Sequence, residues 1–233
     1  MTAGVVSDIW RFPVKSFGGE RLRRVFCGPF GLIGDRRHAL LDETGTPLTA
    51  RRIHGLLGYR AGYAEQAAAE GLEIRGPDGA GRRWDDPALV AEVEGLAGRP
   101  VEAATSPAGF HDAASVHLLG EASLAALDGA VGTELDRRRF RANLVVATEG
   151  DAPFAEDAWV GRALAVGDAV VLQVIVPTER CAVTTFDPET LERDGRVLAT
   201  LAARRENLFG VYAHVLRPGW IATGDPVRPA GSG

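Results

Sequence analysis

Ala169-Val-Val-Leu-Gln-Val-Ile-Val-Pro-Thr-Glu-Arg-Cys181 is the stretch on which the fold turns. Its first eight residues are almost wholly apolar and rich in β-branched side chains. They are too few for a buried helix and suit a strand inside a β-protein. Pro177 is expected to stop that strand, so Cys181 falls in a loop just beyond its end. Further strands are expected around it: Val5 to Trp10, His38 to Leu41 with an Asp42–Gly45 hairpin turn, and Leu72 to Arg75 with a Pro77-Asp78-Gly79 turn. Leu144-Val145-Val146, Leu208 to Leu216, Trp220-Ile221 and Asp225 to Val227 complete the set. The 29 glycines and 13 prolines lie in short clusters, the texture of short strands joined by turns. The Gly- and Ala-rich stretch Ala61 to Gly81 is too patterned for a free linker.

Three helices interrupt this pattern. Pro87 to Leu96 has Asp86 as N-cap, proline at its first position and Gly98 as a stop. Glu121 to Leu127 and Val197 to Arg205 each place leucines on one face. No βαβ rhythm repeats, so a doubly wound sheet is not expected. The reading is a mostly β protein with a few peripheral helices.

Composition narrows the function. Of 233 residues, 45% are apolar and 24% charged, ordinary for a globular protein with a real core. There are 26 basic and 31 acidic residues, a net charge of -5, which speaks against general nucleic-acid binding. No basic start with a long apolar run opens the chain, and no window reaches the roughly 20 apolar residues of a spanning helix. A cytoplasmic protein that uses no membrane is expected. Cys27 and Cys181 cannot supply a four-thiolate zinc or iron–sulfur site, and a reducing compartment is the simpler reading than a bridge. Phosphate-loop, dinucleotide, zinc-protease and serine-hydrolase motifs are absent. The histidines (His38, His54, His111, His117, His214) show no metal-ligand spacing and read as surface or satisfied core residues.

Cys181 carries the most chemistry. A thiolate beside Arg180 in a polar loop can be a nucleophile, a persulfide carrier or a soft-metal ligand, and a buried inert thiol is an equal reading on the motif alone. Cys27, after Val25-Phe26, fits the inert reading better. A second feature is a set of phosphate-type groups far apart in sequence: Lys15-Ser16 in a Gly-rich loop, Arg36-Arg37 after Gly34-Asp35, and Arg139 and Arg141 before Asn143. Lys15 is the only lysine in the chain. The third feature is His111-Asp112-Ala113-Ala114-Ser115-Val116-His117, where Asp112 is a proton donor or a turn residue.

Six blocks in order resemble the MOSC family (molybdenum-cofactor sulfurase C-terminal domain). The variety is the one with an N-terminal β-barrel half, as in the mitochondrial amidoxime-reducing component and its bacterial relatives. The blocks are Trp10 to Ser16, Gly34-Asp35-Arg36 with Leu48 to Arg51, Leu118 to Leu124, Phe140 to Asn143, Arg180-Cys181 through Pro188, and Leu208-Phe209-Gly210 through Val227. The resemblance implies a MOSC-type β-barrel over 106–229, a smaller β-rich N-terminal half over 1–105, a flexible tail at 230–233 and a cofactor cleft between the halves. It implies a molybdenum cofactor (molybdopterin), with Cys181 on the metal, Asp112 near it, and Lys15, Ser16, Arg36 and Arg141 on the phosphate and pterin. Asn143, Arg180, Thr178 and Ser115 complete the implied cofactor-binding set. Glu179 departs from the family's small hydroxyl residue, Ala142 from its usual proline, and the segment Gly58 to Gly109 is shorter than in the mitochondrial enzymes.

The activity implied is reduction of a small N-hydroxylated or N-oxide substrate. Electrons would come from a separate flavin, haem or iron–sulfur protein. Two alternatives stand beside it: a sulfur carrier using a persulfide on Cys181, and a non-catalytic cofactor-binding module.

Overall fold

The computed structural model describes residues 4–230; residues 231–233 of the expected tail, and the first three residues, lie outside it. The N-terminal part runs β1 (Gly4–Arg11), β2 (Glu20–Leu22), β3 (Arg24–Gly28), β4 (Gly31–Leu32), β5 (His38–Asp42), β6 (Arg60–Glu65), β7 (Glu70–Arg75), β8 (Gly81–Arg83), α1 (Pro87–Ala97) and β9 (Val101–Thr105). The remainder runs β10 (Val116–Gly120), α2 (Glu121–Val131), β11 (Leu144–Thr148), β12 (Ala163–Val166), β13 (Val170–Glu179), α3 (Gly195–Arg205), β14 (Leu208–Arg217), β15 (Gly219–Ala222) and β16 (Pro226–Pro229).

Seven strands close into a barrel. The order is β11-β10-β14-β13-β12-β16-β1, and pairing of β1 with β11 completes the ring, with β2 added on the outside of β1. Closure removes the exposed edges that an open sheet would present. The barrel is filled by alternating apolar side chains, among them Val6, Ile9, Leu118, Leu144, Val146, Leu172, Val174 and Val211. One crossover unit is present after all: β10 and β11 are parallel, joined through α2.

A second core lies outside the barrel. Phe17, Leu40, Leu56, Tyr59, Ile74, Leu89 and Val93 pack together from the loop after β1, from β5, β7 and α1, and from the turn before β6. The expected hairpin turn at Asp42–Gly45 forms, with Asp42 N–H donating to Thr46 O at 2.9 Å. The main partner of β5 is nevertheless β9, which no local signal identifies. Ala61 to Gly81 forms most of the meander. All three expected helices form, and Asp86 caps α1 by accepting from Ala88 N–H, with Gly98 left-handed at its end. None of the helices among the described residues is long and apolar enough to cross a membrane.

The structure corrects the expectation at Pro177. β13 does not stop there but runs through it to Glu179. The strand tolerates proline because its pairing with β14 is irregular between Val174 and Val176 and again between Pro177 and Glu179. Cys181 still follows the strand end closely.

Two of the buried ionisable groups, Glu156 and His38, bear on the stability of this frame. Glu156, 1% exposed, accepts from Gly120 N–H (3.1 Å) and Ser123 Oγ (2.7 Å) at the start of α2. It caps that helix from a distant segment, since Gly120 has no side chain to do so. His38 is buried against Tyr63 and Trp84, with Thr105 Oγ1 2.8 Å from Nδ1. Burial first, and then Arg37, lower its pKa to about 4.

Glu156→Ala is expected to lower unfolding free energy by about 2 kcal/mol, read as a shifted urea midpoint at unchanged slope. Between about pH 6.5 and 4 the unfolded chain binds a proton at His38 that the folded chain excludes. Stability is therefore full above that window and declines as pH falls through it. His38→Gln should flatten the pH dependence of the melting temperature there; an unchanged slope would show that His38 does not carry it.

Candidate active site

The closure of the barrel builds one wall of a cleft. Trp10 N–H donates to Asn143 O at 2.8 Å, and Asn143 N–H donates to His117 O at 2.8 Å. The end of β1 and the starts of β10 and β11 therefore meet at one rim. The loop after β1 carries Lys15 and Ser16, and the turn before β11 carries Arg141, so both are delivered there. The chain leaving β13 returns to the same place, where Arg180 Nη2 donates to Phe140 O at 2.7 Å.

The cleft so formed is narrow, with about 70 Å³ of free interior volume below an open mouth. Lys15, Ser16, Arg36, Asp112, Arg141, Arg180 and Cys181 all line it. Asn143 stands behind it: its side chain accepts from His117 N–H (3.1 Å) and Arg36 Nη1 (3.4 Å) and donates to Trp10 O (3.2 Å). Thr178 is fully buried and Ser115 half-buried, and the hydroxyl oxygen of each lacks a hydrogen-bond partner. Neither lines the cleft. Cys27 is wholly buried, and burial pushes its thiol up to about 12, an inert residue. Both cysteines are free.

The cleft is strongly cationic. Lys15, Arg36, Arg51, Arg141 and Arg180 face two carboxylates, Asp112 and Glu179. Lys15 Nζ donates to Phe110 O and to Asp112 Oδ1, each at 2.8 Å. Burial lowers the Lys15 pKa, and Arg36 and Arg141 add to that, while Asp112 opposes it. Burial and the neighbouring Arg36 lower Arg141 to about 9. Its guanidinium lies 4.3 Å from the centroid of the Phe12 ring and donates to Phe17 O, and Arg36 stacks on the same ring at 5.2 Å. Arg36 is held by Asp35 and donates to Arg141 O at 3.1 Å. Charge gathered this way, only partly offset by Asp35, Asp112 and Glu179, can attract an anion.

The backbone is strained at the same places. Ser16 (φ 71°), Arg36 (φ 49°) and Arg141 (φ 53°) all adopt left-handed conformations without being glycine. Each costs roughly 1–3 kcal/mol, and such residues cluster where side chains must be aimed. Ser16 Oγ accepts from Ala50 N–H at 3.0 Å, which fixes the Lys15–Ser16 loop.

Around Cys181 the partners differ. Arg51 lies beside its sulfur and 3.9 Å from Asp112. Burial lowers the Arg51 pKa, but Cys181 and Asp112 outweigh it and the net shift is upward. For Asp112, burial raises the pKa, but Lys15 and Arg51 prevail and it is lowered. Two histidines lie at or near the cleft, a placement that spacing alone did not reveal. His117 lines the cleft 5.3 Å from the Tyr212 ring, and burial, with Arg180 and Arg36, keeps it well below the usual histidine range. His111 lies near Lys15, Arg36 and Asp35 with both ring nitrogens unpartnered. Arg51 and Tyr212 carry no local signal as site residues. Only the register of β14 against β10, which sets Tyr212 opposite His117, places Tyr212 here. Among the described residues no group of three or more His, Cys, Asp or Glu gathers to hold a metal.

Comparison with known proteins agrees with this architecture. The MOSC domain matches residues 105–228, and the MOSC N-terminal β-barrel domain matches residues 3–92. The chain is 28% identical to human mitochondrial amidoxime-reducing component 1 over an alignment covering 96% of this chain and 82% of that one. It is 27% identical to rat mitochondrial amidoxime reducing component 2 at the same coverage. The YUAD protein of Bacillus subtilis, at 12% identity, superposes with a TM-score of 0.54 over 97% of this chain and 94% of its own, a shared fold. With one domain spanning more than half of its length and the other preceding it, the chain belongs to the MOSC family.

Proposed function

We propose that the cleft binds a molybdenum pyranopterin cofactor. On this reading the chain is an oxidoreductase that reduces small N-hydroxylated or N-oxide substrates with electrons from a separate donor protein. The observation that carries this is the convergence, in one cleft, of an accessible thiol with five cationic side chains from distant segments of an acidic protein.

The residues present fit such a group. A single protein thiolate does not hold a bare metal ion, so the metal must arrive with further ligands of its own, as it does in a dithiolene cofactor. A phosphate finds Lys15, the Ser16 hydroxyl and Arg36 on one wall, and Arg141 extends that cationic surface. The buried Arg180 Nε has no partner in the protein and would serve a polar edge of a ligand. Asn143 positions Arg36 and the His117 strand rather than touching the ligand. Thr178 and Ser115 would act from behind the lining.

When bound, the cofactor supplies two-electron redox chemistry and the remaining soft ligands of the metal. Cys181 would contribute its sulfur to the metal, with Arg51 beside it. Reduction of an N–O bond consumes protons. Asp112 lies in the cleft wall 3.9 Å from Arg51 and is tied to Lys15 through Oδ1. Held below its usual pKa, it is ionised near neutrality and passes protons on rather than storing one. Lys15 is the group that keeps it so and links it to the phosphate wall. A reducing cytoplasmic setting would keep Cys181 available as a thiol.

Protein purified from a host able to make the cofactor should contain near-stoichiometric molybdenum and pterin, and Cys181→Ser should lose the molybdenum at unchanged melting temperature. Absence of molybdenum in both proteins would overturn the proposal, and labile sulfur on Cys181 would then support the sulfur-carrier reading. In cofactor-free protein, inorganic phosphate at about ten times its Kd should raise the melting temperature by roughly 3–5 °C. A Lys15→Met/Arg36→Gln variant should lose that response. An equal shift in the variant would place the anion elsewhere.

A further inference from the structure

Beside the proposed cofactor cleft lies a second, smaller chamber. The loop after β1, the turn into β6, the turn before β11 and the segment that follows Cys181 meet around it. It shares only Arg141 and Val183 with the lining of the cleft. Its apolar walls include Phe12, Leu57, Val183 and Phe186. About 30 Å³ of interior is free, roughly twice what one water-sized sphere needs, which suits a monatomic ion.

Four guanidinium groups line the chamber, those of Arg60, Arg138, Arg139 and Arg141. Three carboxylates pair with them: Glu189 bridges Arg60 and Arg138, Asp136 holds Arg138 at 2.5 Å, and Asp187 holds Arg139 at 2.9 Å. Arg141 has no carboxylate within 4.0 Å among the described residues. Asp35 and Asp112 act on it from farther away, but each has its own cation, Arg36 and Lys15. One positive charge is thus left over in a buried place, which costs free energy unless an anion shares the space. Arg139 supplies an independent observation. Its side chain is 8% exposed. Nη1 donates to Thr185 O at 3.0 Å and Nη2 to Asp187 Oδ2 at 2.9 Å, while the buried Nε has no partner. A buried donor without an acceptor is rare in a folded protein and calls for an ion or an ordered water beside it.

We infer that the chamber is a binding site for one small monovalent anion of the halide class, held by Arg139 and Arg141. Its single charge matches the unpaired guanidinium, its size matches the free interior, and it accepts the charge-assisted bond that Arg139 Nε lacks. The anion joins the turn before β11 to the segment after Cys181, because Arg139 and Arg141 come from the first and Val183 and Phe186 from the second. It therefore braces the loop that carries the thiol. The inference goes beyond the cofactor reading and does not depend on it.

The test uses the full chain, with and without cofactor, and chloride and bromide as probes. Melting temperatures would be measured in sodium chloride or bromide against sodium gluconate of equal ionic strength. Halide at about ten times its Kd is expected to raise the melting temperature by roughly 3–5 °C over gluconate. Crystals grown in bromide should show its anomalous signal in the chamber. The Lys15→Met/Arg36→Gln variant, which alters only the cleft, should keep the halide response. Arg139→Lys, which keeps the charge but removes the Nε donor, should raise the half-saturating halide concentration about tenfold. Leu57→Phe, which fills the chamber, should abolish the response. A response that is lost with the cleft variant, or that survives both Arg139→Lys and Leu57→Phe unchanged, would place the halide elsewhere and overturn the inference. Water without bromide in the chamber would overturn it too, as would a bromide signal with no response in solution, which is binding at crystal concentration only. Molybdenum content, which decides the cofactor proposal, is read separately from all of these.

Discussion

The pairing of β1 with β11 is the constraint on which everything else depends. It joins residues 4–9 to residues 144–148 in antiparallel register and so closes the barrel. Because the two strands run in opposite directions, the exit of β1 and the entry of β11 lie at one rim. The loop holding Lys15 and Ser16 and the turn holding Arg141 are thereby brought together without any contact between them in sequence. Asn143 secures the junction by bonding to β1 and β10 at once. A polar residue 1% exposed at this point is satisfied on every side, which is the condition for keeping it buried.

The site is assembled against two opposing energies. Desolvation and mutual repulsion act on Lys15, Arg36 and Arg141, and left-handed backbone strain acts at Ser16, Arg36 and Arg141. Asp35 and Asp112 offset only part of the first. The barrel core and the second apolar core on the other side of the cleft supply the stability that holds them in place. Aromatic stacking of Arg36 and Arg141 on Phe12 offsets part of the repulsion by spreading the two guanidinium groups over one ring. The proposed anion would offset the remaining imbalance, and its binding would then be coupled to stability.

The irregularity of β13 has a similar logic. A ten-residue strand with regular alternation would turn its whole inner face into the barrel and leave the cleft mouth featureless. The bulges convert the last part of the strand from core to lining, and Pro177, which cannot donate to the ladder, sits between two of them. Glu156 shows the complementary case, a charge buried for architecture rather than chemistry, since both of its bonds go to the start of α2.

Local chemistry in the chain determined its β-rich class, its three helices with their caps, and the residues capable of holding an anion or a soft metal. Asp86-Pro87 and Gly98 specify α1 through short-range hydrogen bonding, and the apolar run from Ala169 specifies β13 through side-chain shape. The order of the blocks from Trp10-Arg-Phe-Pro-Val-Lys-Ser16 to Cys181 also made the family legible. Pairings over long separations were not legible, because strand partners are chosen by packing rather than by neighbours in sequence. The β5–β9 partnership, the passage of β13 through Pro177, and the entry of Arg51, His117 and Tyr212 into the cleft all follow from such choices. Which residues could do chemistry was written in their side chains. Which of them meet in one cleft was decided by the closing of the barrel, since only then do charges from remote segments share one low-dielectric space.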